Sequence, residues 1–185
     1  METALKTAER TAPLFPLKSK LHDGTRILVR PLQLEDRADL IRGFEKLSMG
    51  SRRYRFMTPI HKLSNYQLKS LIEVDNLNHV ALGVKDIGRR GKPGIAIARF
   101  VRLEEKSRIA EFAITVIDEY QNRGLGTLLL EILMKTAQDR DIDTLRGFLL
   151  DDNSAMIQLL DRFGAHIKRE SGNVLQADLP TQQDG

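Results

Sequence analysis

The stretch DEYQNRGLGTLLLEILMK, residues 118–135, decides how the rest of the chain is interpreted. A polar turn with Gly124 and Gly126 leads into a long apolar segment with helical spacing. The first amides of a helix have no partners within it, and the helix dipole makes this end positive. Because glycine has no Cβ, a bulky anion can approach the backbone closely, and Arg123 adds a positive charge. The turn therefore has the chemistry of a pyrophosphate-binding loop.

An ordinary turn is the alternative interpretation, since glycine is common near the start of a helix. Two better-known phosphate-binding motifs fit less well. A P-loop ends in Gly-Lys-Ser/Thr, whereas Gly126 is followed by Thr127 and Leu128. The dinucleotide fingerprint needs Gly or Ala three positions after its second glycine, and position 129 is leucine. Spacing alone leaves both the phosphate loop and the ordinary turn open.

The composition indicates an ordinary globular protein and excludes several chemistries. The 185 residues are 41% hydrophobic and 29% charged, which allows a substantial core without disulfides. There is no cysteine, so disulfides, thiolate metal sites and a cysteine nucleophile are all excluded. This also agrees with a reducing compartment, and we expect a cytoplasmic protein. The four histidines are scattered without metal-ligand spacing, so we expect no metal site and place His22 and His61 in surface loops.

The charge balance predicts a mild preference for anionic ligands. Lysine and arginine number 29 and aspartate and glutamate 25, which gives a net charge of +4. No long basic run with interleaved aromatic residues marks a nucleic-acid surface. No segment is apolar for long enough to predict a membrane span. The sequence does not predict an oligomeric state.

The order of predicted elements indicates one mixed α/β domain. They are strand 25–32, helix 34–47, loop 48–62, helix 64–74, strands 79–87, 94–103 and 108–117, helix 124–140, strand 144–150, helix 153–163 and a hairpin within 165–179. The three consecutive strands predict an antiparallel meander. The strand that follows the long helix should lie parallel to strand 108–117. We expect residues 1–23 to form a strap or flexible leader, 24–179 the domain, and 180–185 a flexible tail.

Three segments carry a resemblance to a known family. QNRGLG, residues 121–126, resembles the Gln/Arg-x-x-Gly-x-Gly/Ala signature of the GCN5-related N-acetyltransferase (GNAT) family. AEFAITVIDEY, residues 110–120, is similar to that family's fourth strand, and DDNSAMIQLLDRFGA, residues 151–165, to its second signature helix. The resemblance covers roughly residues 25–179. It implies the GNAT fold, which is a mostly antiparallel twisted sheet with helices on both faces and with its fourth and fifth strands splayed apart.

The resemblance also implies acetyl-CoA, or a related acyl-CoA, as the acyl donor. Its pantetheine arm would enter the splayed gap and pair with the exposed backbone like an added strand. The positions that match the family are Thr115, Val116 and Ile117 for the arm, and Gln121, Arg123, Gly124, Leu125, Gly126 and Thr127 for the pyrophosphate. Asn153 would lie near the arm. A helix N-cap is the alternative role for Asn153, and the two roles are compatible.

The candidate catalytic residue is Glu111. Acetyl transfer needs a neutral amine, and a lysine side chain with its usual pKa costs about 4–5 kcal/mol to hold neutral at pH 7, so a general base helps. Glu111 lies among apolar residues of strand 108–117, where we expect partial desolvation and a raised pKa. Its position matches the glutamate that acts as base, often through water, in protein-acetylating members. The alternative is an outward-facing strand residue that forms a salt bridge.

One position departs from the family pattern. Many members carry a tyrosine seven residues after the asparagine of the second signature helix, as general acid for the departing thiolate. Here that position is Leu160. Tyr120 lies close to the pyrophosphate turn, and we expect it to be a packing residue. Because the CoA thiolate is a fairly good leaving group, transfer can proceed without this acid.

The N-terminal half indicates the acceptor. The segments RPL, LSMGSRRYRF, PIHKLS and EVDNLNHVAL resemble the acetyltransferase domains of bacterial protein lysine acetyltransferases that modify acyl-CoA synthetases. The first hypothesis is therefore direct acetylation of a protein lysine. A second is acetylation of a small amine such as a polyamine, an aminoglycoside or an amino acid. A third, suggested by the missing tyrosine, is a non-catalytic module that binds or senses acyl-CoA.

Overall fold

The computed structural model describes residues 15–105 and 107–182, and within them one sheet of eight strands is covered by five α-helices. The strands are β1 (Leu17–Lys20), β2 (Arg26–Pro31), β3 (His79–Asp86), β4 (Gly94–Arg102), β5 (Ile109–Val116), β6 (Thr144–Leu150), β7 (His166–Ser171) and β8 (Val174–Pro180). The helices are α1 (Arg37–Glu45), α2 (Met49–Phe56), α3 (Asn65–Ile72), α4 (Leu125–Gln138) and α5 (Ser154–Arg162). Single 3-10 turns cover Leu34–Asp36 and Asp118–Tyr120.

The sheet has the order β1-β2-β3-β4-β5-β6-β8-β7. Its neighbours are antiparallel apart from β5 and β6, which run parallel on either side of the α4 crossover. The predicted meander and the predicted parallel pair are therefore confirmed, as is the mixed, mostly antiparallel fold class. Both α1 and α4 pack against the central strand β4. Among the helices of the described residues, none combines the length and apolarity that crossing a bilayer requires.

Helix α4 forms the centre of the core. It is apolar at most positions, and Leu129, Leu130 and Leu133 are completely buried. A helix that is hydrophobic nearly all round must be covered on nearly all sides. Burial of α4 fixes the position of its N-terminus, and with it the glycine turn from which the sequence interpretation started.

The predicted loop 48–62 is wrong in its first half, because residues 49–56 form α2. No residue of α2 is buried, and its sequence, MGSRRYRF, lacks the apolar stripe by which a helix is recognised. Gly50 in its first turn also argues against a helix. The helix is held instead by an N-cap, in which the Ser48 hydroxyl accepts a hydrogen bond from the Ser51 amide at 3.1 Å.

Structure extends beyond the predicted ends of the domain. Strand β1 lies within the segment expected to be a strap or leader, and it pairs with β2 at the sheet edge. At the other end, Thr181 is buried although it falls in the expected tail. Its hydroxyl donates to the Ile142 carbonyl at 2.8 Å, and its amide donates to the Asp143 carbonyl. The expected leader at residues 1–14 and the expected tail at 183–185 lie outside the described residues.

An ion-paired cluster joins the start of α1 to the sheet. The buried carboxylate of Asp36 accepts two hydrogen bonds of 2.7 Å from Arg30 and one of 2.9 Å from the Gln33 amide. Lys85 reaches both Asp36, at 3.2 Å, and Asp39, at 2.9 Å. Burial alone raises the pKa of Asp36, but the hydrogen bonds from Arg30, Gln33 and Lys85 outweigh it and lower the pKa to about 2.

This cluster predicts an acid-sensitive contribution to stability. Because the folded pKa of Asp36 lies below its ordinary value of 3.8, its contribution is present above about pH 4 and is lost as the pH falls through about 2. We expect the stability difference between the wild type and Asp36→Asn to shrink by about 2 kcal/mol between pH 5 and pH 2. Urea unfolding of both proteins across this range measures it. The other carboxylates titrate in both proteins, so their effect cancels in the difference. Two stability curves that stay parallel would contradict the lowered pKa of Asp36.

Candidate active site

The parallel pairing between β5 and β6 is short, and a cleft opens where it stops. It comprises Ile109 with Thr144, Ala110 with Leu145, and Glu111 with Arg146. The next pair would be Phe112 with Gly147, but the Phe112 ring lies against the Gly147 backbone. A Cβ at position 147 would come within 2.7 Å of that ring. Beyond this point β5 and β6 are no longer paired, and a cleft of about 960 Å³ opens between them, called the main cleft below.

Most of the predicted site residues lie together in the main cleft. Those that line it are Glu111, Thr115, Val116, Gln121, Gly124, Gly126, Thr127 and Asn153. Glu111 stands where the strands diverge, and the glycine turn stands at the mouth. Along an extended strand, the five residue steps from Glu111 to Val116 span about 17 Å. Of the remaining predicted residues, Ile117 and Leu125 are buried in the core, and Arg123 lies beside the turn.

The backbone of β5 can receive an added strand on its open side. The Ile117 amide donates to the carbonyl of Ile95 in β4, at 3.0 Å. Because successive residues of a strand direct their backbone groups to opposite sides, Val116 and Ile114 direct theirs toward the main cleft. The Gln121 side chain donates to the Val116 carbonyl there, at 3.0 Å. Of the three residues predicted to pair with the pantetheine arm, Val116 has its backbone on the open side.

The glycine turn forms a cradle that a side chain would fill. Gly124 is the N-cap of α4 with φ of +82°, and no side chain caps the helix start. A Cβ at Gly124 would lie 2.9 Å from the His22 ring. His22, expected in a surface loop, therefore packs against this turn and lines the main cleft. The uncapped amides, the missing Cβ and the helix dipole fit a diphosphate group.

Arg123 and Gln121 are held beside the turn by other side chains of the protein. Arg123 pairs with Asp23 at 2.8 Å, and its guanidinium lies over the Tyr120 ring, 4.9 Å from the centroid. Gln121 donates to the Ser51 hydroxyl at 3.1 Å as well as to the β5 backbone. Both side chains are thus positioned at the mouth before any ligand binds.

Helix α2 crosses the mouth of the main cleft. At the end of β5, the Asp118 carboxylate accepts from the Ser48 amide at 3.0 Å and from the Ser51 hydroxyl at 3.1 Å. At the end of β6, Arg53 pairs with Asp152 at 2.7 Å. We call α2 with these contacts the α2 bridge, because it links the ends of the two separated strands. The sequence did not reveal the bridge, since these residues were predicted to be a loop.

Glu111 is exposed, which differs from the partial burial expected for it. It lies on a sheet face that the helices leave open at this end of β5. Its charged neighbours are the half-buried Arg55 and Arg99. Burial, and then repulsion from Arg99, lower the pKa of Arg55 to about 10, while attraction to Glu111 opposes the shift. Burial likewise lowers the pKa of Arg99, and Glu111 again opposes it. The surroundings of Glu111 are therefore positive.

The other aligned positions have clear structural roles. Asn153 caps α5, its side-chain oxygen accepting from the Met156 amide at 3.3 Å, and it also lines the main cleft. Leu160 is buried, so no hydroxyl stands at the family's tyrosine position. Tyr120 is buried, and its hydroxyl donates to Asp86 at 2.7 Å. Burial and then this carboxylate raise the pKa of Tyr120, which agrees with the packing role expected for it.

Thr115 has an unusual side chain. Its hydroxyl oxygen is buried and has no hydrogen-bond partner. An unsatisfied buried hydroxyl costs about 1–3 kcal/mol, so Thr115→Val, which keeps the shape, should raise the free energy of unfolding by about 1 kcal/mol or more. Urea unfolding with an unchanged m-value measures this. The matched control is Thr136→Val, because the buried Thr136 hydroxyl donates to the Ile132 carbonyl, and its loss should lower stability. Destabilisation in both variants would contradict the prediction.

Comparisons with known proteins place this geometry in context. Residues 26–166 match the family model described as an acetyltransferase (GNAT) domain. The chain is 32% identical over 166 residues to the acetyltransferase Pat of Mycolicibacterium smegmatis, covering 90% of this chain and 49% of that relative. The chain thus spans about half the length of this relative.

Solved structures share the fold. The crystal structure of the GNAT domain of S. lividans PAT matches with a TM-score of 0.81 at 27% identity, covering 89% of this chain and 96% of that one. Spermidine N-acetyltransferase from Vibrio cholerae, in complex with CoA and spermine, matches with a TM-score of 0.66 at 16% identity, covering 84% and 95%. The second likeness shows the fold alone.

Proposed function

The chain belongs to the GNAT acetyltransferase family, and on this premise we propose that it transfers an acetyl group from acetyl-CoA directly to the side-chain amine of a protein lysine. Acetyl-CoA is the acyl donor of this family and supplies the activated thioester. The chain contains no cysteine, so no thiol of its own can carry the acyl group between donor and acceptor. Direct transfer requires donor and acceptor to be bound together.

The donor's diphosphate would be held at the mouth of the main cleft. The amides that follow Gly124 donate to it, and Arg123 adds charge if it exchanges Asp23 for the phosphate oxygens. The open backbone of Val116 would hold the extended arm. These residues orient the donor so that its thioester lies at the inner end of the cleft, where β5 and β6 diverge. Asn153 lines the wall that faces the arm.

Glu111 would act as the general base, and its position is the observation that carries the proposal. It terminates the parallel pairing of β5 and β6 and therefore stands at the inner end of the cleft, opposite the diphosphate cradle. Its carboxylate would accept the proton of the acceptor ammonium, directly or through a water molecule. Because Glu111 is exposed, a side chain on the surface of another protein can reach it.

The charges around Glu111 favour a protein acceptor over a polyamine. Arg55 and Arg99 flank the carboxylate and would repel a small molecule that carries several positive charges. Asp36 and Asp39 offer such a molecule no free carboxylate, since both are paired with basic side chains. A single lysine presented by a protein brings one positive charge, and neighbouring residues of that protein can complement the arginines.

Mass spectrometry of acceptor proteins tests this proposal. Acyl-CoA synthetases are the first candidates, because the N-terminal half of the chain resembles acetyltransferase domains that modify them. We expect one or a few lysines of such a protein to gain an acetyl group in the presence of acetyl-CoA and this chain. Spermidine and free amino acids are the rival acceptors. Their consumption is measured by release of the CoA thiol. Consumption of a free amine without any modified lysine would overturn the protein-acceptor proposal.

A further inference from the structure

Two arginines beside Glu111 stand without a contacting acidic partner in the part of the chain that the structure describes. Arg55 and Arg99, called the arginine patch below, are both half-buried. Within residues 15–105 and 107–182, neither guanidinium donates a hydrogen bond to a protein group or lies within ion-pair distance of a carboxylate. A guanidinium that has lost part of its water without gaining an acceptor is costly, so the patch would bind an added carboxylate favourably.

The sheet register places Arg99 next to Glu111 on one face of the sheet. In the antiparallel pairing of β4 and β5, Glu111 is opposite Val101, two residues along β4 from Arg99. Because residues two apart on a strand share a face, Arg99 is a diagonal neighbour of Glu111, with about 7 Å between their Cβ atoms. Arg55, near the end of α2, lines the main cleft together with Glu111, and its guanidinium lies over the Phe56 ring. Two positive charges and one negative charge therefore meet at the inner end of the cleft.

On the β6 side of Glu111 the charges are already balanced. Arg146 is opposite Glu111 in the parallel pairing, and Asp178 accepts two hydrogen bonds from it, at 2.7 and 2.8 Å. On the side of the arginine patch the net charge is positive even when Glu111 is ionised. A lysine ammonium brought to Glu111 adds a further positive charge, which the patch repels. An acceptor that carries a negative charge beside its lysine would therefore bind better than a neutral one.

We propose that the arginine patch binds an aspartate or glutamate side chain of the acceptor protein, close to the lysine that reaches Glu111. The proposal rests on the proposed function in taking Glu111 as the place where the acceptor lysine is bound. In an extended segment, side chains two residues apart lie on one side with about 7 Å between them, which matches the separation of Arg99 from Glu111. Adjacent side chains of such a segment face opposite ways. We therefore expect the acidic residue two positions before or after the lysine.

Peptide titrations without acetyl transfer test the proposal. Each peptide contains one lysine and one aspartate, placed one or two residues before or after it, and is compared with the peptide that has asparagine instead. The protein is saturated with CoA, which carries no acyl group and occupies the proposed diphosphate cradle, so that the peptide carboxylate cannot bind there. NMR titration measures the dissociation constants, including weak ones. We expect aspartate two residues from the lysine to strengthen binding about tenfold over asparagine, as one charge-assisted hydrogen bond would.

Removing one guanidinium of the patch should remove most of the gain. In Arg99→Gln we expect the affinity ratio of the aspartate peptide to the asparagine peptide to fall from about ten to about two. Arg99→Lys keeps the positive charge and should retain part of the gain, although a lysine cannot bind a carboxylate in a bidentate manner. The matched control is Arg90→Gln, which removes a charge from an exposed residue on the turn between β3 and β4 and should keep the ratio. Arg55→Gln gives an independent variant if Arg99→Gln does not fold.

Two results would overturn the proposal. One is that no aspartate peptide binds the wild type more tightly than its asparagine counterpart. The other is a preference for aspartate that survives both Arg99→Gln and Arg55→Gln in folded protein. Neither result bears on acetyl transfer, since the CoA in the titration carries no acyl group. Conversely, absence of lysine modification by acetyl-CoA leaves the measured preference for aspartate intact, so the failures of the two proposals are distinguishable.

Discussion

Replacing Glu111 by glutamine is expected to lower kcat by roughly two to four orders of magnitude while leaving the dissociation constant for acetyl-CoA unchanged. Glutamine keeps the size of the side chain and cannot accept the proton of the acceptor ammonium. In the proposed arrangement the donor is held elsewhere, at the uncapped glycine turn and along the open side of the β5 backbone. Release of the CoA thiol measures turnover, and calorimetry measures donor binding. The exposed Glu131 on α4 provides the control, since Glu131→Gln removes a surface carboxylate that does not line the main cleft.

The pH profile separates a base from a residue that only positions the acceptor. If Glu111 removes the proton, the rate of Glu111→Gln should continue to rise with pH toward the pKa of the acceptor amine, because deprotonation then depends on solvent. A positioning role would lower the rate by the same factor at every pH. Unchanged turnover in Glu111→Gln would remove the residue from the mechanism, and turnover absent from the wild type with every amine would favour a module that only binds acyl-CoA.

Replacing Gly124 by alanine is expected to weaken acetyl-CoA binding by on the order of 10- to 100-fold, the equivalent of one charge-assisted hydrogen bond to the diphosphate. Position 124 has φ of +82°, which disfavours any residue with a Cβ. That Cβ would also lie 2.9 Å from the His22 ring, so either the turn or the imidazole must shift. Both changes disturb the amides at the start of α4. Calorimetric titration with acetyl-CoA measures the loss.

Gly164 supplies a matched control for backbone strain. It follows α5 with φ of +73°, and a Cβ added there would meet nothing within 4 Å beyond its own chain neighbours. Gly164→Ala should therefore lower the free energy of unfolding by roughly 1–2 kcal/mol, because alanine is strained in the left-handed region, as it is at position 124. It should leave the affinity for acetyl-CoA unchanged. Equal loss of donor affinity in both variants would mean that strain, and not the cradle, is responsible. Full affinity in Gly124→Ala would show that the diphosphate binds elsewhere.

The sequence predicts the strands and the glycine turn well because their signals are local. Alternating β-branched residues mark β3, β4 and β5, and the uncapped glycine junction marks the start of α4. The parallel β5–β6 pair followed from a connectivity rule and not from either strand's composition. The start of α3 also has a local signal, since Ser64 and Gln67 are bonded reciprocally in a capping box.

What the sequence could not predict depends on contacts between distant segments. His22 reaches Gly124 across about a hundred residues, and no property of a lone histidine in a loop indicates this. The Phe112 ring packs against β6 only because glycine stands opposite at position 147. Arg55 at the end of α2 is a charged neighbour of Glu111, and α2 itself has no apolar periodicity to reveal it. The fold was therefore more accessible from the sequence than the environment of the candidate base.

The α2 bridge has a consequence for how the binding of one substrate affects the binding of the other. One end of this short helix holds Gln121 through Ser51, beside the proposed donor site, while its other end carries Arg55 near Glu111, the proposed base. A shift of the helix on binding either substrate must alter the affinity for the other, and thermodynamic reciprocity makes the two effects equal in size. In initial-rate plots, the apparent KM for each substrate should thus depend on the concentration of the other, because the helix couples their two sites.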